Sequence, residues 1–192
     1  MRAILVGLSL AFACACARRS APPVLAVLPD FAMTAVGPAA EVPFGRKDML
    51  GKVWVADFVY TRCSGPCPLL TERLGKLGAL LPAEVGLLTV TVDPEADTPS
   101  RLRAYAEGYG CDPRRWVFLR GTVAQTYELL YSGFRLPMSI DPKAAAQTRV
   151  MHSTRFVLVD KNGAIRGFYD GLGDLDNDVL ARDARRLLEV DS

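Results

Sequence analysis

Cys63 and Cys67 lie in the stretch TRCSGPCPLL with three residues between them, and the chain carries one histidine, His152. These are the side chains whose types could do chemistry together. A redox dithiol is most familiar with two intervening residues, and a zinc ribbon would need two such pairs. The pair leaves three chemistries open: it exchanges electrons, it holds a metal, or it staples a loop as a plain structural disulfide. The first two need thiolate, the form that attacks disulfides and binds metal. A helix N-terminus favours negative charge, and Arg62 adds positive charge nearby, so both thiols are expected to ionise readily.

The surrounding pattern says what must position them. Residues 53–60, VWVADFVY, form a nearly continuous apolar run that predicts a central strand ending just before Thr61-Arg62-Cys63. Pro66 or Pro68 then opens a helix, with Leu69, Leu70, Leu74, Leu77 and Leu81 as its buried face. Residues 85–93 predict a second buried strand. Thr98 caps a helix that begins at Pro99 and runs to about Glu107. Residues 116–120 predict a third strand, and Thr122 caps a helix to about Tyr131. The stretch 134–150 is irregular and longer than most connections. RFVLVDKNGAIRGFYDG reads as a hairpin turning at Asp160-Lys161-Asn162-Gly163, and an amphipathic helix over 175–190 closes the chain. Turn signals at Pro22-Pro23, Gly37-Pro38 and Gly45 frame a small hairpin or edge strands before all of this. The order predicts an α/β architecture: a thioredoxin-like central sheet flanked by helices, with extra N-terminal strands.

That order also places the histidine. His152 stands just before the strand expected over 154–160. Run antiparallel to 53–60, this strand starts at the edge where the cysteines lie, so two thiolates and an imidazole would meet. Soft thiolates select Cu(I), and imidazole suits copper in either oxidation state, whereas structural zinc usually takes four protein ligands. Cys111 precedes the strand over 116–120 and belongs at the opposite edge, a strand length of about 17–20 Å away. It reads as a free, partly buried structural thiol, which argues against a Cys₃His zinc site.

Composition narrows the rest. Half of the 192 residues are apolar, enough for a full core, and the net charge of +2 argues against a nucleic-acid partner. Residues 1–20, MRAILVGLSLAFACACARRS, read as an export signal. Its apolar run falls short of the roughly 20 residues that span a bilayer. The small residues before Cys14 and Cys16 resemble a bacterial lipoprotein cleavage site, although Ala stands three positions before each cysteine where Leu is usual. A lipid anchor to the membrane is the expectation; ordinary cleavage and an uncleaved anchor are the alternatives. The mature domain then spans 21–192. In an exported domain Cys63 and Cys67 exist either as a disulfide or as thiolates.

With these pieces in place, the sequence resembles the Sco/SenC family, thioredoxin-fold copper proteins of cytochrome oxidase assembly. The resemblance rests on FVYTRCSGPCP at the cysteines, TVDPEADTP at 91–99 and VMHSTRFVLVDKNGAIRGFYDG at the histidine, with LPDFAMTAV and GKVWVADF earlier. It covers about 28–190. It implies that Cys63, Cys67 and His152 are copper ligands, and that Cys63 and Cys67 form a redox-active disulfide. Asp93 and Asp97 would belong to an acidic loop near the site, or serve only as turn and helix-cap residues.

The resemblance further implies a copper chaperone facing the periplasm or exterior of a bacterial cell envelope. Its partner would be cytochrome c oxidase subunit II, whose binuclear copper site it would load, or whose site cysteines it would prepare. Other copper carriers or thiol–disulfide reductants would serve it. The alternative is a metal-independent thiol–disulfide oxidoreductase of the cell envelope; a peroxidase-like thioredoxin relative is a third. The spacing of three, and a histidine where thioredoxin relatives carry a cis-proline, favour copper. Residues 134–150 do not match the family's pattern.

Overall fold

The computed structural model describes residues 20–190. Eight strands form one sheet in the order β1-β10-β9-β4-β5-β6-β2-β3. Its centre is β4 (Trp54–Val59), β5 (Gly86–Thr91) and β6 (Trp116–Arg120), paired in parallel. β4 and β5 are buried at every position, which is why both read as nearly continuous apolar runs. β9 (Arg155–Val159) runs antiparallel to β4, and β10 (Ala164–Asp170) folds back on it. The turn between them is held by Asp160, whose Oδ1 accepts from the backbone N–H of Asn162 and of Ala164, each at 2.9 Å. Gly163 takes the positive φ of 74° that the turn requires.

The N-terminal strands supply a hairpin and the two edges of the sheet, in line with the expected hairpin or edge strands, but they divide between its two ends. β1 (Ala26–Val27) pairs with β10 at one edge. β2 (Ala32–Val36) and β3 (Glu41–Gly45) form a hairpin that joins β6 at the other. A short helix α1 (Arg46–Met49) leads into β4.

Helices close both faces. α2 (Cys67–Leu80), α3 (Pro99–Gly108) and α5 (Asp174–Val190) bury Leu70, Leu74, Leu77, Leu102, Leu180, Ala184 and Leu187 against one face. On the other, α4 (Val123–Glu128) continues as a π-helical turn, Leu129–Gly133, and buries Leu129, Leu130 and Phe134 against Phe58 and Val90. The helix expected to reach Tyr131 therefore ends three residues earlier and widens. In α2, Leu69 is exposed rather than buried. The helix starts at Cys67, so its inward face runs Cys67, Leu70, Thr71, Leu74, Leu77 and Gly78, and Leu69 lies a quarter-turn away.

The stretch 134–150 is not wholly irregular. β7 (Ser139–Ile140) and β8 (Val150–Met151) pair antiparallel as a separate two-stranded sheet. Residues 141–149 form a lobe beyond it, closed at its base by Asp141 N–H donating to Arg149 O at 2.8 Å. The leader at 1–20, with Cys14 and Cys16, lies outside the described residues apart from Ser20. Among the described residues no helix is long and apolar enough to cross a membrane.

Candidate functional site

The loops after β4 and β5 lie at the same edge of the sheet, because the two strands are parallel and in register from Trp54–Gly86 to Val59–Thr91. Asp97, wholly buried, clamps these loops together. Its carboxylate accepts from Thr61 N–H at 3.1 and 3.2 Å, from Thr61 Oγ1 at 2.6 Å and from Thr91 Oγ1 at 2.5 Å. Arg62 adds a second tie, its Nη2 donating to Asp93 Oδ2 at 2.6 Å. Asp93 and Asp97 thus act as loop fasteners, five residues and one residue before Thr98, the cap of α3. Arg62 spends its charge on Asp93 rather than on the sulfurs, contrary to the expectation from sequence.

Cys63 sits in the fastened loop and is half-buried; Cys67 opens α2 and is fully buried; both are free thiols. Pro66 stands at the helix N-cap and Pro68 in the first turn, where a missing N–H costs nothing. The free N–H groups at this helix start act on Cys63. Burial alone would raise its pKa. Hydrogen bonds from His152, the Cys67 thiol and the backbone N–H groups of Cys67 and Gly65 outweigh burial and bring it down to about 6. Cys67 goes the other way: burial pushes its thiol well up, and the neighbouring Cys63 adds to the rise. The expectation of two readily formed thiolates is corrected to one, because at Cys67 burial and the neighbouring Cys63 outweigh the one backbone hydrogen bond it receives, from Tyr60.

His152 comes to the same place. It follows β8 and precedes β9, and the antiparallel pairing of β9 with β4 returns it to the cysteine edge. His152 Nε2 lies 3.4 Å from Cys67 Sγ. His152 Nδ1 lies 2.9 Å from its neighbour's carbonyl, Ser153 O. A carbonyl only accepts, so Nδ1 carries the proton and Nε2 is the nitrogen that faces the sulfurs: protonated it donates to a thiolate, unprotonated it offers a lone pair. Tyr60 packs edge-on against the ring, centroids 5.9 Å apart at 82°.

The donor set is two sulfurs and one imidazole nitrogen. Sulfur and nitrogen ligands bound to one metal at about 2.3 and 2.0 Å, with an angle near tetrahedral, stand roughly 3.5 Å apart. The 3.4 Å between Cys67 and His152, the length of a sulfur–nitrogen hydrogen bond, is also compatible with that spacing. Among the described residues no three Cys, His, Asp or Glu side chains are drawn into a ready-made metal cluster. Cys111 lies in the loop before β6, at the opposite end of the parallel strands, and burial raises its thiol to about 12.

Two residues in the surroundings carry a role that their sequence positions alone did not announce. Asp57, in the middle of β4, is 1 % exposed. Its Oδ1 accepts from Thr89 Oγ1 at 2.5 Å, and Thr89 in turn accepts from Trp116 Nε1 at 2.8 Å. Its Oδ2 has no hydrogen-bond partner among the described residues. Burial lifts this carboxyl to about 7, against the lowering effects of Thr89 and His152. One acid inside the run VWVADFVY was a legible signal. Tyr60 was not, since its partner Gln147 lies 87 residues on.

Comparison with known proteins places this site in a family context. The SCO1/SenC family model matches residues 28–189. A SCO1 protein homolog of Bacillus subtilis is 30% identical over 143 residues, 72% of each chain. A protein of Stutzerimonas stutzeri named for copper binding is 29% identical over 129 residues, 65% of this chain and 61% of its own. The crystal structure of a SCO1/SenC family lipoprotein from Bacillus anthracis superposes with a TM-score of 0.78 at 29% identity, covering 88% of this chain and 99% of that one. BsSco, described as a Sco family cytochrome c oxidase assembly protein with a disulfide switch, superposes with a TM-score of 0.73 at 26% identity, covering 88% and 98%.

Proposed function

Given that this chain belongs to the SCO1/SenC family, we propose that it is a copper chaperone with Cys63, Cys67 and His152 as the copper ligands. The observation that carries this is the approach of His152 Nε2 to Cys67 Sγ at 3.4 Å, with Nδ1 committed to Ser153 O. Two thiolates and one imidazole suit both Cu(I) and Cu(II), so one site can take copper through a change of oxidation state. With Nδ1 committed to Ser153 O, Nε2 is the nitrogen left for a metal, and it already faces the sulfurs. The relative named for copper binding and the assembly role of BsSco support the same assignment. The cargo would be delivered to the binuclear copper site of cytochrome c oxidase subunit II. The domain over 21–192 would work outside the cytoplasmic membrane of a bacterial cell, held there by its leader.

A second reading, thiol–disulfide exchange that prepares the target's cysteines, is favoured by the asymmetry of the pair. Cys63 is accessible and ionises readily, while Cys67 is buried and stays protonated. That is the division between an attacking and a resolving thiol. The test for both is metal titration of the reduced protein beside disulfide exchange with a model dithiol. One equivalent of copper bound, lost in His152→Ala with exchange retained, supports the chaperone. Exchange without any copper binding supports the oxidoreductase.

A further inference from the structure

Tyr60 touches the site at three points. Its ring packs edge-on against His152. Its phenol lies near Cys63, which, after burial, helps raise the phenol's pKa. Its hydroxyl donates to Gln147 O at 2.5 Å. Gln147 belongs to the 141–149 lobe, and the strand that leaves the lobe, β8, runs directly into His152. The lobe has a second tie, Arg149 Nη2 to Glu95 Oε2 at 3.9 Å. Glu95 lies in the loop that carries Asp93 and Asp97. The lobe is therefore fastened to both loops that build the site. The tie at Glu95 is a long ion pair to an exposed carboxylate and is worth little. The Tyr60 tie is short and made from a side chain only 2% exposed.

Nothing in the ligand set requires a phenol here. A purely apolar ring would fill the same space against His152 and leave the lobe free. Among the described residues the hydroxyl's hydrogen bond goes to the lobe's backbone. We propose that Tyr60 is a positioning residue that latches the 141–149 lobe beside Cys63, Cys67 and His152, and so sets how fast copper enters and leaves. This rests on the copper-binding role proposed above. The latch acts through a backbone carbonyl, so it depends on Tyr60 and not on the identity of residue 147.

The experiment compares the reduced chain with its Tyr60→Phe and Gln147→Ala variants. Copper is loaded at one equivalent, and its transfer to a strong Cu(I) chelator is followed by stopped flow. Amide hydrogen exchange over 141–149 is measured on the metal-free protein. Tyr60→Phe is expected to keep the stoichiometry, speed transfer about fivefold and speed exchange in the lobe about fivefold, the factor of one ordinary hydrogen bond. Gln147→Ala, which keeps the carbonyl, is expected to match the wild type in both. Unchanged transfer in Tyr60→Phe overturns the proposal, as does a Gln147→Ala effect as large as that of Tyr60→Phe. A wild-type chain that binds no copper overturns the copper-binding role and the control of metal exchange with it. Lobe exchange in the metal-free protein then still decides separately whether the latch exists.

Discussion

Thr61 gives both its backbone N–H and its hydroxyl to the buried carboxylate of Asp97, at 3.1–3.2 and 2.6 Å. The residue two positions before Cys63 is thereby fixed to the loop after β5. The cysteine loop owes its shape to this clamp as much as to its own sequence. Asp97→Ala would leave Thr61 N–H and Thr91 Oγ1 without their acceptor. It is expected to destabilise the fold by roughly 2–4 kcal/mol and to weaken copper binding more than Asp93→Ala does. Urea denaturation with copper titration checks both; equal copper affinity in Asp97→Ala and wild type would contradict it.

Asp57 makes a prediction about pH. Its folded pKa, about 7, lies above the ordinary carboxylate value. The folded state therefore holds the proton more tightly than the unfolded chain. This contribution to stability is present in acid and is lost as pH rises from about 4 to about 7. Asp57→Asn removes the titration. Its stability is expected to be flatter across that window and to exceed wild type by a few kcal/mol at pH 8. Melting curves of the metal-free proteins from pH 5 to 8 read this out. Parallel pH profiles for the two would show that Asp57 does not titrate there.

The two site thiols are expected to alkylate very differently. Cys63 receives donors from His152, Cys67 and two backbone N–H groups, and its thiolate forms near pH 6. Iodoacetamide should modify it with a rate that rises through pH 6 and levels off by about pH 7.5. Cys67, buried and pushed up, should stay unmodified until Cys63 has reacted. Mass mapping of the metal-free reduced protein distinguishes them. First labelling at Cys67 would reverse the assigned roles.

Cys111 is a control within the same chain. It lies at the far end of the parallel strands and has a raised pKa. Cys111→Ser is expected to retain copper stoichiometry under reducing conditions in which Cys63→Ser loses it. The stability cost should be modest, about 1 kcal/mol, since a small partly buried thiol contributes mainly packing. Equal loss of copper in both variants would bring Cys111 into the site.

How far the sequence went depended on the range of the interactions. β4 and β5 were legible because strands buried on both faces are largely apolar, and 53–60 and 85–93 are, with Asp57, Thr89 and Thr91 as buried polar exceptions. The cap of α3 was legible because Thr98-Pro99 is local chemistry, and Thr98 Oγ1 does accept from Arg101 N–H at 3.3 Å. The meeting of His152 with Cys67 followed from topology alone, since an antiparallel β9 returns residue 152 to the end of β4. What stayed hidden was decided by partners far along the chain. Arg62 reads as a charge beside a thiol until Asp93, 31 residues on, takes it up. The 141–149 lobe stands on strands of two residues, too short to show any period. Leu69 was misplaced because the helix phase is set by where Cys67 enters it, a boundary that two nearby prolines left open.

The central claim is that Cys63, Cys67 and His152 together hold copper, and titration of the reduced chain tests it most directly. One equivalent of Cu(II) should bind with strong thiolate-to-copper charge-transfer absorption. His152→Ala should lose most of that absorption while its Cys63–Cys67 disulfide still forms on oxidation. A folded, reduced wild-type chain that binds no copper above background, or a His152→Ala spectrum identical to wild type, would contradict it.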